Sequence, residues 1–436
     1  MFKVVFQHAP KFFTGSLIAA VATVLMTKYY TFVFTPADYG VLAMYLVMFE
    51  YIKTLASLNL DSSATRFYFD YRKTHRDEYL STILWFLTFQ AALVLIIGLI
   101  FMPLISDWIA IKTRTIYMVT LGTGIASVYV SFFTRILYNE HKSTSVLKHS
   151  IFQTLVNHAT SFILISVFNL GILGRISGQG IGYGVNIYSL LKEFAKNNLF
   201  KIRLVFNRLM AKETFLLSLP GMISMTQGIA FLYLDRIFLK HYIGNTAVGI
   251  YTLGYMLGRG LSIVYESVSQ AMLPKVFNDM ISDYVKAKAE LEKFSYLYYA
   301  GLIVITIIVS FLSPVLVALI SNEKYSESAT VMPFVMAGFM MGGFYKIPAL
   351  VLGYHKRVWI YPVIAFVSFG VNALLNWYLI LPYGVVGSAF ASFAGLFIYS
   401  LIMQSVAAQY MSCRYRVTVF SVYLLIFMVN LGLFCA

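Results

Sequence analysis

Apolar stretches of about 20 residues recur along the whole sequence, and most of the charged residues lie between them. Such a stretch is long enough for a helix to cross the ~30 Å hydrocarbon core of a membrane. Charged residues are only 12% of the 436, whereas a soluble domain carries about 25%. The pattern therefore predicts an all-α polytopic membrane protein with about 12–13 transmembrane helices.

The predicted spans follow one another with short connections. They cover approximately residues 12–34, 38–60, 80–104, 115–137, 149–168, 173–193, 215–239, 248–273, 294–320, 330–352, 358–381, 386–409 and 417–435. The first twelve form two consecutive sets of six, and the thirteenth is an additional C-terminal helix.

The positive charges identify the cytoplasmic face. Of the 33 Lys and Arg residues, 23 fall on the face of the N-terminus, whereas five, including Arg175, fall on the opposite face. Positive residues accumulate in cytoplasmic loops, so we expect the N-terminus in the cytoplasm. The same distribution accounts for the net charge of +15, and it offers no basic face on a soluble domain for nucleic acid.

The two halves of the sequence repeat with an offset of 209 residues. The offset matches Gly40 with Gly249, Glu50 with Arg259, Arg66 with Lys275, Asp70 with Asp279 and Gly178 with Gly387. Six spans separate the copies, so the halves have the same orientation, as in transporters built from parallel repeats with a site between them.

This repeat predicts four segments. They are an N-terminal lobe (1–193), a basic cytoplasmic linker (194–213), a C-terminal lobe (214–410) and an extra helix (411–436). The linker is interpreted either as an amphipathic surface helix or as a solvated connection.

Charged residues inside the spans are the first candidates for function, because each costs about 2.5–3.5 kcal/mol to insert. Arg259 and Glu50 lie near the membrane midplane, whereas Lys53 and Lys28 lie close enough to the span ends to reach interfacial water. We expect all four to be substrate-binding residues. Glu50 is expected to pair either with Arg259 across the lobes or with Lys53 at i,i+3.

A second set of residues suggests ion coupling. Asp235, Asn372, Asn376 and Ser392 lie in the seventh, eleventh and twelfth spans and offer hard oxygen ligands. The alternative is a local interfacial ion pair between Asp235 and Arg236. Glu266, two turns below Arg259, is a candidate proton carrier.

Three motifs indicate a family. They are Thr35-Pro36-Ala37-Asp38-Tyr39-Gly40, then Asp235-Arg236-Ile237-Phe238-Leu239 with Val248-Gly249-Ile250-Tyr251, and Tyr383-Gly384-Val385-Val386-Gly387-Ser388-Ala389. In their order and spacing they resemble the polysaccharide flippases (Wzx type) of the multidrug/oligosaccharidyl-lipid/polysaccharide exporter superfamily. The resemblance implies two six-helix lobes around a V-shaped central cavity, a MATE-like fold.

The resemblance also implies a function. Such a protein moves undecaprenyl-pyrophosphate-linked oligosaccharides from the cytoplasmic to the periplasmic leaflet of the bacterial inner membrane. Basic residues of the first, second and eighth spans face its cavity, which are the spans of Lys28, Lys53 and Arg259. Relatives that flip the peptidoglycan precursor have a cation site in the seventh, eleventh and twelfth spans, but carry a second acid where this sequence has Asn376.

Two other functions compete with this one. A cation-coupled multidrug antiporter of the same superfamily favours acidic or aromatic pockets, whereas the intramembrane charge here is mainly basic. A membrane polymerase needs a large periplasmic loop, and the outer loops are short.

We therefore expect no catalytic residue, no metal site and no cofactor beyond a coupling Na+ or H+. Expected partners are membrane lipids and the polysaccharide polymerase and chain-length proteins.

Overall fold

The computed structural model describes residues 21–71, 75–109 and 113–411, and these residues form helices joined by short turns and by one longer irregular segment, 197–207. In chain order the helices are α1 (21–33), α2 (Pro36–Ser57), α3 (Leu60–Tyr71), α4 (Arg76–Ile100), α5 (Met102–Ile109), α6 (Arg114–Asn139), α7 (Ser143–Ser166), α8 (Gly171–Lys196), α9 (Arg208–Tyr242), α10 (Asn245–Arg259), α11 (Leu261–Ser282), α12 (Tyr284–Phe311), α13 (Ser313–Ile320), α14 (Ser328–Phe344), α15 (Lys346–Tyr354) and α16 (Ile360–Tyr410), with a 3₁₀ turn at Glu323–Tyr325.

The second to twelfth predicted spans each coincide with one or two of these helices or with one limb of α16, and the described part of the first span is α1. The all-α polytopic fold is therefore confirmed. The predicted thirteenth span, 417–435, lies outside the described residues. Eight helical segments of the described chain are both long and apolar enough to cross a membrane. The helices α7 and α8 are of suitable length but are not among the eight.

Some spans consist of two helices because the backbone breaks inside them. The second span breaks at Leu58 and Asn59, both with positive φ, whereas the eighth only tightens at Gly260, whose backbone stays helical. The 51 residues of α16 contain two limbs that meet at Gly384, whose φ is 58° and ψ −133°. A Cβ on Gly387 would overlap the carbonyl oxygen of Leu379, so the limbs form a tight hairpin.

The first motif of the sequence is a helix start. Thr35 precedes α2, Pro36 is its first residue, and the Asp38 carboxylate accepts hydrogen bonds from Thr35 N (3.1 Å) and Thr35 Oγ1 (2.7 Å). The amide of Asp38 in turn donates to Thr35 Oγ1 over 3.2 Å. This reciprocal capping fixes where α2 begins.

The helices group into two compact units. The N-unit is Val41–Tyr233, and the C-unit is Met1–Gly40 together with Leu234–Ala436. Both boundaries fall inside helices, α2 and α9. This grouping places the first span with the second half of the chain, whereas the predicted lobes were contiguous (1–193 and 214–410), and the lobe boundaries stay a prediction.

Over 197–207 the linker between the halves is not a surface helix, and residues 201–206 are exposed. This segment is irregular, with Leu199 and Phe200 buried in the core of the N-unit. Its backbone is held on α4, since Arg203 N donates to Ser81 Oγ (2.9 Å) and Trp85 Nε1 donates to Arg203 O (2.8 Å). The linker is therefore a fixed part of the N-unit.

Candidate functional site

A buried carboxylate in the C-unit is the centre of a hydrogen-bond network. Asp235, on α9, is only 1% exposed. Its Oδ2 accepts hydrogen bonds from Tyr251 Oη and from Ser392 Oγ, each over 2.5 Å. Its Oδ1 accepts one from Asn376 Nδ2 over 2.9 Å and a longer one from Asn372 Nδ2 over 3.4 Å. We call Asp235, Tyr251, Asn372, Asn376, Ser388 and Ser392 the Asp235 network.

The hairpin of α16 positions the network. Asn372 and Asn376 lie one turn apart on the first limb, and Asn376 Nδ2 also donates to the carbonyl oxygen of Asn372 (2.9 Å). Ser388 and Ser392 lie one turn apart on the second limb, and Ser388 Oγ donates to Asn376 Oδ1 over 2.8 Å. Because Ser388 takes the oxygen of Asn376, the amide nitrogen is left to face Asp235.

The structure thus brings together the four predicted ligands Asp235, Asn372, Asn376 and Ser392. The sequence prediction missed Tyr251 and Ser388, although both stand in motifs that indicated the family. The signal for Ser388 was its i,i+4 spacing from Ser392, which places the two hydroxyls on one helix face.

The neighbouring arginine is buried as well. Arg236 is 5% exposed, and its guanidinium lies over the ring of Tyr255 at 4.5 Å and over the ring of Tyr251 at 5.6 Å. A cation over an aromatic face is attracted by the ring quadrupole. Arg236 also interacts electrostatically with the carboxylate of Asp235, so the ion pair considered from the sequence stays an alternative for these two residues.

One polar atom of the network is buried without a hydrogen-bond partner, the Oδ1 of Asn372. Buried polar atoms are nearly always paired, so an orphaned oxygen beside a carboxylate is a candidate ligand for a cation. No group of three or more His, Cys, Asp or Glu side chains in the described part of the chain could hold a metal ion. The network offers one carboxylate and neutral oxygens, and the buried guanidinium of Arg236 interacts with the same carboxylate.

The predicted substrate-binding residues lie in both units. In the N-unit, Lys53 Nζ lies 3.4 Å from Glu50 Oε2, and both side chains are half-buried. This local pair is one of the two partners considered for Glu50, whereas its pairing with Arg259 stays a prediction.

In the C-unit, Lys28 is exposed on α1 and Arg259 is exposed at the last residue of α10. Glu266 is exposed on α11. The structure does not bring Glu266 into the Asp235 network, and its role as a proton carrier stays a prediction.

A model of the family described as polysaccharide biosynthesis protein matches residues 12–280, which is more than half of the chain. The chain belongs to this family. Among curated relatives, an uncharacterized membrane protein of Methanocaldococcus jannaschii is 23% identical over 428 residues, which cover 90% of this chain and 80% of that protein. The capsular polysaccharide biosynthesis protein CapF of Staphylococcus aureus is 24% identical over 244 residues, about half of each chain (53% and 54%).

Solved structures share the fold of this polysaccharide biosynthesis protein family member. An inward-facing multidrug resistance MATE family transporter of the MOP superfamily superimposes with a TM-score of 0.77 at 11% identity, covering 90% of this chain and 94% of that one. The lipid II flippase MurJ in an inward closed conformation superimposes with a TM-score of 0.73 at 14% identity, covering 97% of each chain. The MATE-like fold is therefore confirmed, together with membership of a membrane family of polysaccharide biosynthesis.

Proposed function

We propose that this protein is a flippase for undecaprenyl-pyrophosphate-linked oligosaccharides. It moves them from the cytoplasmic to the periplasmic leaflet of the bacterial inner membrane by alternating access, with its N-terminus in the cytoplasm. The observation that carries the proposal is the placement of cationic side chains inside the spans of a polysaccharide biosynthesis family member. A pyrophosphate head group must cross an apolar interior, and cationic side chains offset the cost of removing it from water.

Arg259 is the proposed principal contact of the pyrophosphate. It is exposed at the last residue of α10, next to the junction with α11. A guanidinium binds two phosphate oxygens at once, whereas a lysine ammonium acts as a point charge. Lys53 and Lys28 would supply such point charges, and Glu50 would hold Lys53 in place before substrate arrives.

The Asp235 network is the proposed coupling site, with Na+ or H+ as the coupling ion. Its single buried carboxylate and the orphaned Asn372 Oδ1 suit a monovalent cation. In the network described above, two amide nitrogens and two hydroxyls already donate to the carboxylate. Binding of Na+ would require the amides of Asn372 and Asn376 to turn their oxygens inward, and a proton would require one hydroxyl to change from donor to acceptor.

The test is transport by the full chain in proteoliposomes. A fluorescent undecaprenyl-pyrophosphate oligosaccharide is placed in one leaflet, and its movement is followed by quenching with a membrane-impermeant reagent. We expect flipping that accelerates under an imposed Na+ or proton gradient and slows in Arg259→Ala. The matched control is Lys324→Ala, since Lys324 is exposed in the 3₁₀ turn.

The same vesicles test the multidrug antiporter. Export of a lipophilic dye cation without flipping of the lipid-linked glycan would overturn the flippase proposal in favour of the antiporter. Flipping without any gradient dependence would overturn ion coupling alone.

A further inference from the structure

The helices α7 and α8 are too polar to be explained as simple spans. They are 24 and 26 residues long, yet neither is among the apolar segments of the described chain. They pack as a close pair, because a Cβ on Gly178 would overlap Ser161, and one on Gly182 would lie 3.0 Å from the Cβ of Asn157. This close packing brings the polar side chains of both helices together.

These side chains form a cluster with the second span. Arg175 Nη1 donates to Asn157 Oδ1 over 3.1 Å, and Tyr183 lies beside Gln153 and Gln179. We call the following residues the Arg175 cluster: Tyr45 and Glu50 on α2, Gln153, Asn157 and His158 on α7, and Arg175, Gln179 and Tyr183 on α8. All belong to the N-unit, and Arg175 lies within electrostatic range of Tyr45 and His158.

Two atoms of the cluster are buried without a hydrogen-bond partner, Tyr45 Oη and His158 Nδ1. Tyr45 is 1% exposed, so water does not satisfy its hydroxyl. An unpaired buried hydroxyl is costly and calls for an explanation. Arg175, Asn157 and Tyr183 are only half-buried. The cluster therefore combines groups that a ligand can reach with a hydroxyl that lacks a partner.

The Arg175 cluster and the Asp235 network stand on equivalent helices of the repeat. The 209-residue offset matches Gly178 on α8 with Gly387 on the second limb of α16, and α2 with α10. The Asp235 network is centred on a carboxylate, whereas the Arg175 cluster is centred on a guanidinium. Glu50 is paired with Lys53 at 3.4 Å, so the guanidinium of Arg175 is the group of the cluster that suits an anion. The N-unit thus offers a centre for a single negative charge.

We propose that the Arg175 cluster binds the carboxylate of an acidic sugar in the transported glycan. The guanidinium of Arg175 pairs with the carboxylate, and Tyr45, Tyr183 and Gln179 hydrogen-bond the sugar hydroxyls. The single guanidinium of the cluster matches the single charge of a carboxylate better than the two charges of a phosphate dianion. This inference rests on the proposed function in one respect, that the cargo is a glycan.

Binding by the full-length protein in nanodiscs tests the inference without transport. The probes are methyl glucuronide, methyl glucoside and inorganic phosphate, and saturation-transfer NMR detects weak sugar binding. We expect wild type to bind methyl glucuronide and not methyl glucoside, with no displacement by equimolar phosphate. Arg175→Gln should weaken binding about tenfold or more. The matched control Arg114→Gln removes an exposed arginine at the start of α6 and should bind as wild type does.

Tyr45→Phe separates recognition from packing. Because its hydroxyl has no partner, its removal should leave the melting temperature unchanged or higher, yet weaken methyl glucuronide binding about fivefold. Absence of glucuronide binding, equal binding of the glucoside, displacement by phosphate or full binding by Arg175→Gln would each overturn the inference. Failure of the flippase proposal has a separate signature, loss of lipid-linked glycan flipping with glucuronide binding intact.

Discussion

Gly40 and Gly249, which are equivalent in the 209-residue repeat, lie against each other where α2 and α10 begin. A Cβ on Gly249 would lie 3.0 Å from Gly40 N and would overlap the carbonyl oxygen of Pro36. A Cβ on Gly40 would in turn overlap the carbonyl oxygen of Asn245. The backbones of the two helices therefore touch, and glycine is required on both sides of the contact.

We predict that Gly249→Ala destabilises the protein by at least about 1–3 kcal/mol, because an added methyl group must displace backbone rather than a flexible side chain. The measurement is the unfolding midpoint in detergent or nanodiscs. The control is Gly370→Ala in α16, where a Cβ meets nothing within 4 Å. That substitution should be neutral or stabilising by about 0.5–1 kcal/mol, since Ala is the better helix former. Equal effects of the two substitutions would contradict the close contact.

Ser388→Ala should destabilise the C-unit by about 1–3 kcal/mol, because it leaves the buried Oδ1 of Asn376 without its donor. The matched control is Ser405→Ala on the same limb, since Ser405 bonds only the carbonyl oxygen of Leu401 in its own helix. The control should change stability by no more than about 0.5 kcal/mol. Thermal unfolding of both variants checks this prediction. An unchanged melting temperature of Ser388→Ala would show that the network tolerates the loss of that hydrogen bond.

Asp235→Asn should abolish the dependence of transport on a cation gradient while the protein stays folded. The substitution keeps the shape of the side chain but removes its negative charge, so a bound cation loses its only carboxylate ligand in the network. The measurements are gradient-driven flipping in proteoliposomes and the melting temperature with and without Na+. Identical gradient dependence in wild type and Asp235→Asn would reduce the network to a structural role.

Labelling at residue 204 tests the orientation in the membrane. Leu204 is 91% exposed in the linker, and Lys201, Arg203 and Arg208 surround it. In a chain whose cysteines at 413 and 435 are replaced by serine, Leu204→Cys should react with an impermeant thiol reagent only from the cytoplasmic side. Reaction in intact cells from the periplasm would reverse the assigned topology. A cysteine at the exposed Lys324, on the opposite predicted face, is the control.

The sequence predicted the residues of the Asp235 network better than their surroundings, for a physical reason. Inserting an acidic residue into an apolar span costs free energy, so Asp235 stood out in the sequence. The amides of Asn372 and Asn376 stood out in another span for the same reason. Hydroxyls such as those of Tyr251 and Ser388 are common in spans. The i,i+4 spacing of Ser388 and Ser392 places both on one helix face, but it does not show that this face meets a carboxylate.

Other features depend on contacts between distant segments. Arg175 stands near the start of α8, and only the packing against α7 reveals its bond to Asn157. The linker has a helical pattern of apolar residues, but Asn207 N bonds Thr82 Oγ1 and its side chain bonds Glu78. These hydrogen bonds favour an irregular backbone, and the spacing of apolar residues in the sequence does not reveal them.

The last prediction concerns Arg259. A charge-assisted contact with pyrophosphate is worth about 1.5–3 kcal/mol, so Arg259→Ala should weaken substrate binding about 10–150-fold. Arg259→Lys should restore part of the loss, because it returns the charge without the bidentate geometry. Glu50→Gln should not mimic Arg259→Ala, since Glu50 already pairs with Lys53. The measurement is flipping of the lipid-linked glycan, or surface polysaccharide restored in a deletion strain, at matched protein levels. Full activity of Arg259→Ala would show that this arginine does not contact the pyrophosphate.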